Sequence, residues 1–277
     1  MLSAEEHELH YNPQRAVPNF AEYRAQRDPD NARARASLRR HQSVPYGEHR
    51  LRRLDIYPAE GVSRAPVHVF FHGGYWRAQD KENFAFIAAP LVARGITAVI
   101  ANYELCPEAT LDAVAESALG AVAFVRRSIG DYGGDPGRVS LSGHSAGAHL
   151  VAEVLAADWG GDAGFLRGAV MVSGIFDPAP AQRTTVNAQL NLTPEIIARR
   201  DVERRPPRVE CPVWLFAGGR EPWRWIEQTF RYSSHLRRHG GDPEVHVLPG
   251  LHHFDIVSQF AEPPSPIGRA MLAAAGA

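Results

Sequence analysis

One serine in this chain stands where a serine can be made nucleophilic. Gly143, His144, Ser145, Ala146 and Gly147 spell G-x-S-x-G, with a β-rich run at 139–142 before them. An apolar helical pattern (His149, Leu150, Val151, Val154, Leu155) follows. A strand that enters a helix through so short a turn must bend sharply. Glycines at 143 and 147 remove the side chains that would collide at the bend, which lifts the Ser145 hydroxyl above the strand ends. The helix points its N-terminus at the same place, where negative charge is favoured. The chemistry this suits is attack of the serine oxygen on a carbonyl carbon, with the Ala146 N–H as one donor to the oxyanion that forms. Ser142 is a weaker alternative, since it lies in the strand rather than at the bend.

The run His72, Gly73, Gly74, Tyr75, Trp76 follows another β-rich stretch, 67–71. Its glycines let backbone N–H groups turn toward a substrate oxygen with no Cβ in the way. Gly73 and Gly74 are therefore the expected partners of Ala146 in an oxyanion hole, and His72 is expected to bond within its own loop. A nucleophilic serine also needs a base, and the base an orienting acid, in the chain order serine, acid, histidine. The acid should follow the run 212–217. Glu221 stands there, ahead of a helix that Pro222 opens. Glu227, inside that helix, and Asp242, before the last strand, are worse placed. The base should follow the run 244–248, where His252 and His253 are adjacent, and the residues alone leave both open. A metal site of His252, His253 and Asp255 is the competing use. Adjacent histidines seldom both reach one ion, and no third strong ligand cluster appears. No metal and no cofactor is expected.

These loops must be held by a scaffold. Short apolar runs near 50–57 and at 67–71, 97–101, 139–142, 169–172, 212–217 and 244–248 suit strands buried on both faces. Helical patterns lie between them, on Phe84, Ile87 and Leu91, on Leu111 through Ile129, and on Trp223, Ile226 and Phe230. A final helix should start with Ser265 as cap and Pro266 in its first turn. Strands alternating with helices predict an α/β fold with a mostly parallel sheet, helices on both faces and ligands at the carboxyl ends of the strands. The 277 residues are expected to form a single domain, with residues 1–45 as a polar arm that packs on it and holds at most one short helix. A formal net charge of −1 gives no general attraction to nucleic acid or anionic lipid. No signal peptide or membrane-spanning run is read, and the two cysteines, Cys106 and Cys211, make no disulfide framework. A cytoplasmic enzyme with a small-molecule substrate is the expectation, with a homodimer left open.

With these residues in view, the chain resembles the kynurenine formamidase (arylformamidase) branch of the α/β-hydrolases. The resemblance runs through 11–15, Leu54 to Tyr57, the run 72–77, Asp80 and Lys81, the run 143–149, Ser173 to Asp177, and His253 to Ile256. It implies an α/β-hydrolase fold and a triad of Ser145, Glu221 and His253, which favours the second of the two histidines. Many relatives carry Asp where this chain has Glu221. The resemblance also implies hydrolysis of an aryl formamide such as N-formylkynurenine, or a related small acyl amide, with short-acyl ester hydrolysis as the alternative. A catalytically inactive fold used for binding is the alternative of another class. Tyr75, Trp76, Tyr103, Phe176 and Trp223 are the aromatic candidates for a substrate pocket.

Overall fold

Strands whose side chains are apolar on both sides can be stable only between two layers of helix. In the computed structural model, which describes residues 2–277, the apolar runs form one eight-stranded sheet. Its strands are β1 (His41–Pro45), β2 (Arg53–Tyr57), β3 (Ala65–Phe71), β4 (Thr97–Ala101), β5 (Gly134–His144), β6 (Leu166–Val172), β7 (Val213–Gly218) and β8 (Glu244–Leu248). They lie in the order β1-β2-β4-β3-β5-β6-β7-β8. The pairs β1–β2 and β2–β4 are antiparallel, and the others are parallel. Each face has its own core. Val67, Val69 and Phe71 of β3 join one, and Phe70 joins the other, as the two-residue period of a strand requires. This is the α/β-hydrolase fold that the sequence implies.

The helices are α1 (Ala4–Tyr11), α2 (Pro13–Ala16), α3 (Phe20–Ala25), α4 (Asp28–Ser37), α5 (Ala88–Val92), α6 (Leu111–Ser128), α7 (Ala146–Ala156), α8 (Asn187–Leu190), α9 (Pro194–Arg200), α10 (Trp223–Arg238) and α11 (Pro266–Ala275). Ser265 caps α11 by accepting the Gly268 N–H, with Pro266 in the first turn. No described helix is long and apolar enough to cross a membrane.

The first 45 residues depart from the expectation of at most one short helix. Four helices fill 4–37, and 41–45 form the edge strand β1. Apolar periodicity is weak here because caps and a few anchors do the holding. Ser3 and Glu6 make a reciprocal capping box, and the Asn12 side chain caps α2. Asn31 is buried, donating to the Asn83 carbonyl and accepting the Phe86 N–H. Strand β1 is polar and mostly exposed, so no apolar alternation marks it. It is tied down by the Ser43 N–H on Asp55 Oδ1 at 2.7 Å.

Candidate active site

The loops that leave the carboxyl ends of β3, β5, β7 and β8 converge on one cleft. The bend between β5 and α7 shows why glycine is needed at both flanks. A Cβ on Gly143 would come within 2.3 Å of the Gly147 backbone, and one on Gly147 within 2.0 Å of the Phe71 carbonyl oxygen. Ser145 is left in a strained conformation, φ 55° and ψ −118°, with its N–H bonded to the Val172 carbonyl at 2.8 Å. Its Oγ lies 3.0 Å from His253 Nε2, and His253 Nδ1 lies 2.6 Å from Glu221 Oε1. All three residues are buried.

The two adjacent histidines part company. His252 Nδ1 accepts the N–H groups of Phe254 and Asp255, which locks the loop, while His253 turns toward Ser145. They do not converge on a shared centre. Ser142, the alternative nucleophile, is fully buried with its Oγ 2.7 Å from His68 Nε2, and His68 Nδ1 meets Ser140. That serine–histidine contact is sealed in the core. Glu227 pairs with Arg224 on α10, and Asp242 pairs with Arg237 at the surface.

Glu221 reaches the imidazole by folding back over its own turn. Its N–H bonds to the Gly218 carbonyl at 3.1 Å, and its Oε2 accepts the Gly218 N–H at 2.8 Å and the Ser173 hydroxyl at 2.9 Å. Burial pushes the Glu221 carboxyl up and the His253 imidazolium down, while the two donors on Oε2 pull the carboxyl back toward its anion. Trp225 packs edge-on against the His253 ring at 4.9 Å and bonds through Nε1 to the Ser173 carbonyl. His144 donates from Nε2 to the His253 carbonyl at 2.9 Å, and burial keeps its ring neutral.

Gly73 and Gly74 lie against this group. A Cβ on Gly73 would sit 3.2 Å from Ser145 Cβ, and one on Gly74, at φ +118°, 2.2 Å from the Ala78 carbonyl oxygen. Ala146 is the first residue of α7, so its N–H belongs to the unpaired first turn. His72 serves its loop, donating from Nδ1 to the Gly73 carbonyl and stacking on Tyr103 at 4.4 Å.

The cleft, about 650 Å³ including its open mouth, is lined by Gly73, Gly74, Tyr75, His144, Ser145 and His253. Of the five aromatic pocket candidates only Tyr75 lines it. Trp76 is fully buried against His149, Tyr103 spends its hydroxyl on the His72 carbonyl, and Phe176 stacks on Tyr232 at 4.2 Å. Trp223 opens α10 with its side chain in solvent. Large aromatic surfaces near a site are as readily consumed by the core as by the ligand, and contrary to expectation Trp76, Tyr103, Phe176 and Trp223 do not line the cleft. The apolar lining comes instead from Phe20, Phe84, Phe254 and Val257.

Sequence reasoning missed the part played by the arm. Pro13, Gln14, Phe20, Arg24 and Arg27 all line the cleft. Phe20 packs on Phe254 at 5.3 Å, Tyr23 meets His252 edge-on at 4.5 Å, and Tyr75 bonds to the Tyr11 carbonyl. The arm thus grips the loop that carries the two histidines. It also missed Ser173, which holds φ 52° without being glycine, and His144. The run from Ser173 to Asp177 carries the resemblance, but nothing in it assigns the hydroxyl to the acid.

A serine hydroxyl on an imidazole that is itself held by a carboxylate can transfer its proton as it attacks a carbonyl. Ser173 gives a first test. Its hydroxyl stabilises the Glu221 anion, so Ser173→Ala should make that carboxyl easier to protonate. The competent state lacks that proton, so the acid limb of kcat/KM should move to higher pH by about one unit, the worth of one bond to a charged group. An unmoved limb with reduced kcat would make Ser173 a packing residue only.

A family model described as BD-FAE matches residues 54–160. The chain is 31% identical over 278 residues to a kynurenine formamidase of Danio rerio, covering 94% of this chain and 92% of the relative. It is 40% identical over 111 residues to a probable isoprenylcysteine alpha-carbonyl methylesterase of Oryza sativa, covering 40% of this chain and 26% of that one. Among solved structures it is similar to a candidate thioesterase from Silicibacter sp., with a TM-score of 0.85, 25% identity, and coverage of 95% of this chain and 97% of that one.

Proposed function

The chain belongs to the kynurenine formamidase family, a hydrolase family, and from that membership we propose that it cleaves an aryl formamide, N-formylkynurenine or a close analogue, with Ser145 as nucleophile. The observation that carries the reading is the continuous hydrogen-bonded line from Ser145 Oγ through His253 to Glu221, at 3.0 and 2.6 Å. As Oγ attacks the formyl carbon, its proton passes to His253 Nε2. Negative charge gathers on the carbonyl oxygen, where the N–H of Ala146 and the N–H groups of the Gly73–Gly74 turn serve as donors. One such donor is worth about 3–4 kcal/mol at the transition state. The C–N bond then breaks, and the amine leaves with the proton held by His253. Water, deprotonated by the same Nε2, cleaves the formyl-enzyme and releases formate. Glu221 keeps the imidazole oriented and balances its transient charge. The rings of Phe20, Phe84 and Phe254 suit an aromatic leaving group.

The local likeness to a methylesterase favours ester cleavage as the one second reading, which we take as hydrolysis of short-acyl esters. Turnover of N-formylkynurenine and p-nitrophenyl acetate by the same preparation separates the two. The formamide reading expects kcat/KM for the formamide to equal or exceed that for the ester, although the amide is the harder bond. Fast ester cleavage with negligible formamide cleavage would leave the esterase reading in place. We also place the activity in the cytoplasm, where two free thiols, Cys106 and Cys211, are stable.

A further inference from the structure

The charged groups that line the cleft are both cations on the arm. Arg24 and Arg27 contribute to the wall, and no Asp or Glu does. Arg27 is the more constrained. Its Nη1 donates to the Phe254 carbonyl at 3.0 Å, its guanidinium lies 6.0 Å from the centre of the Phe86 ring, and its Nε is buried with no partner. Among the described residues neither arginine forms an ion pair.

Holding a partly dehydrated guanidinium without a counter-ion costs free energy. The cost is visible in its acidity: burial lowers the Arg27 pKa to about 10, with Arg24 also opposing the charge and only the neighbouring Asp28 supporting it. If the side chain served only to clasp the Phe254 carbonyl, a neutral donor would do that without placing charge in the cleft. A planar fork with unused N–H groups, on the wall of a cleft whose lining holds no carboxylate, suits a carboxylate ligand.

We propose that Arg27, aided by Arg24, is an anion-recognising subsite for a carboxylate on the leaving-group side of the substrate. This rests on the hydrolase reading above. A formyl acyl group has no room for a second charge, so the carboxylate belongs to the amine that departs. The arm then does two things at once: it closes the cleft and selects acidic aryl substrates over neutral ones. Gln14 and Gln79, also in the lining, offer further neutral contacts to such a group.

The test is a ratio. kcat/KM is measured for phenyl acetate and 3-carboxyphenyl acetate, and for formanilide and 2-carboxyformanilide, with wild type and with Arg27→Met, Arg27→Lys and Arg24→Ala. Wild type should prefer the carboxylate member of each pair, and added salt should weaken that preference. Arg27→Met should lower the carboxylate-to-neutral ratio by about 10- to 100-fold, the worth of one bond to a charged group. Arg27→Lys should restore part of it, and Arg24→Ala should lower it less. An unchanged ratio in both Arg27→Met and Arg24→Ala overturns the proposal. A parallel loss on both members also overturns it and leaves Arg27 as a clasp for the histidine loop. If formanilides are not cleaved, the formamide reading fails, while the ester pair still decides the subsite.

Discussion

Replacing Ser145 with alanine is expected to lower kcat by about 10⁴- to 10⁶-fold while leaving the fold intact. The size follows from triad members acting as a unit, so that removing one removes nearly all of their joint effect. The intact fold follows from local geometry. The bend is imposed by the approach of Gly143 and Gly147 to the neighbouring backbone and by the Ser145 N–H on the Val172 carbonyl, none of which involves Oγ. Alanine keeps the Cβ that the left-handed conformation already accommodates. Only the contact with His253 Nε2 is lost. Ser140 and Ser142 cannot take over, because they are closed off around His68 in the core. A fluorophosphonate probe should therefore label wild type and not Ser145→Ala. Labelling of the variant, or activity within about tenfold of wild type, would place the nucleophile elsewhere. An unlabelled but folded wild type would favour the reading of an inactive binding fold.

The second large effect separates two neighbours. His253→Gln is expected to cost about as much as Ser145→Ala, because it removes the acceptor of the serine proton and the partner of Glu221 together. His252→Gln should cost about tenfold or less in kcat. It loosens the loop by removing an acceptor for two backbone N–H groups and the ring that Tyr23 packs on. That loss belongs to stability, at about 0.5–1.5 kcal/mol per hydrogen bond. Thermal melts run beside single-turnover kinetics divide the two roles. A severe kinetic loss in His252→Gln with mild loss in His253→Gln would falsify the assignment of the base.

Much of the machinery was legible from residue types because backbone geometry demands them. Gly143 and Gly147 are needed by a bend that leaves less than 2.5 Å for a Cβ, so the bend is written in the sequence. The strands at 67–71 and 97–101 appear where the apolar runs put them, since burial on both faces leaves no other composition, whereas the strand at 244–248 forms at the sheet edge and is half exposed rather than buried on both faces as expected. Glu221, singled out by its place after β7, is the carboxylate that meets the imidazole, whereas the choice between His252 and His253 needed a likeness to known enzymes. Adjacent residues share the same local sequence, and only the loop's conformation decides which ring turns inward.

What the sequence by itself determined was the scaffold and the order of the reactive groups along it, because periodicity and glycine spacing are local and survive without knowledge of neighbours. Only the tertiary structure decided who surrounds them. Trp76, Tyr103 and Phe176 went to the core and Trp223 to solvent, while Phe20, Arg24 and Arg27, more than a hundred residues from Ser145 in the chain, became walls of the cleft. Contacts between segments so distant depend on shape and charge complementarity across space, and a polar arm held by caps and a few buried anchors leaves no periodic trace of where it will lie.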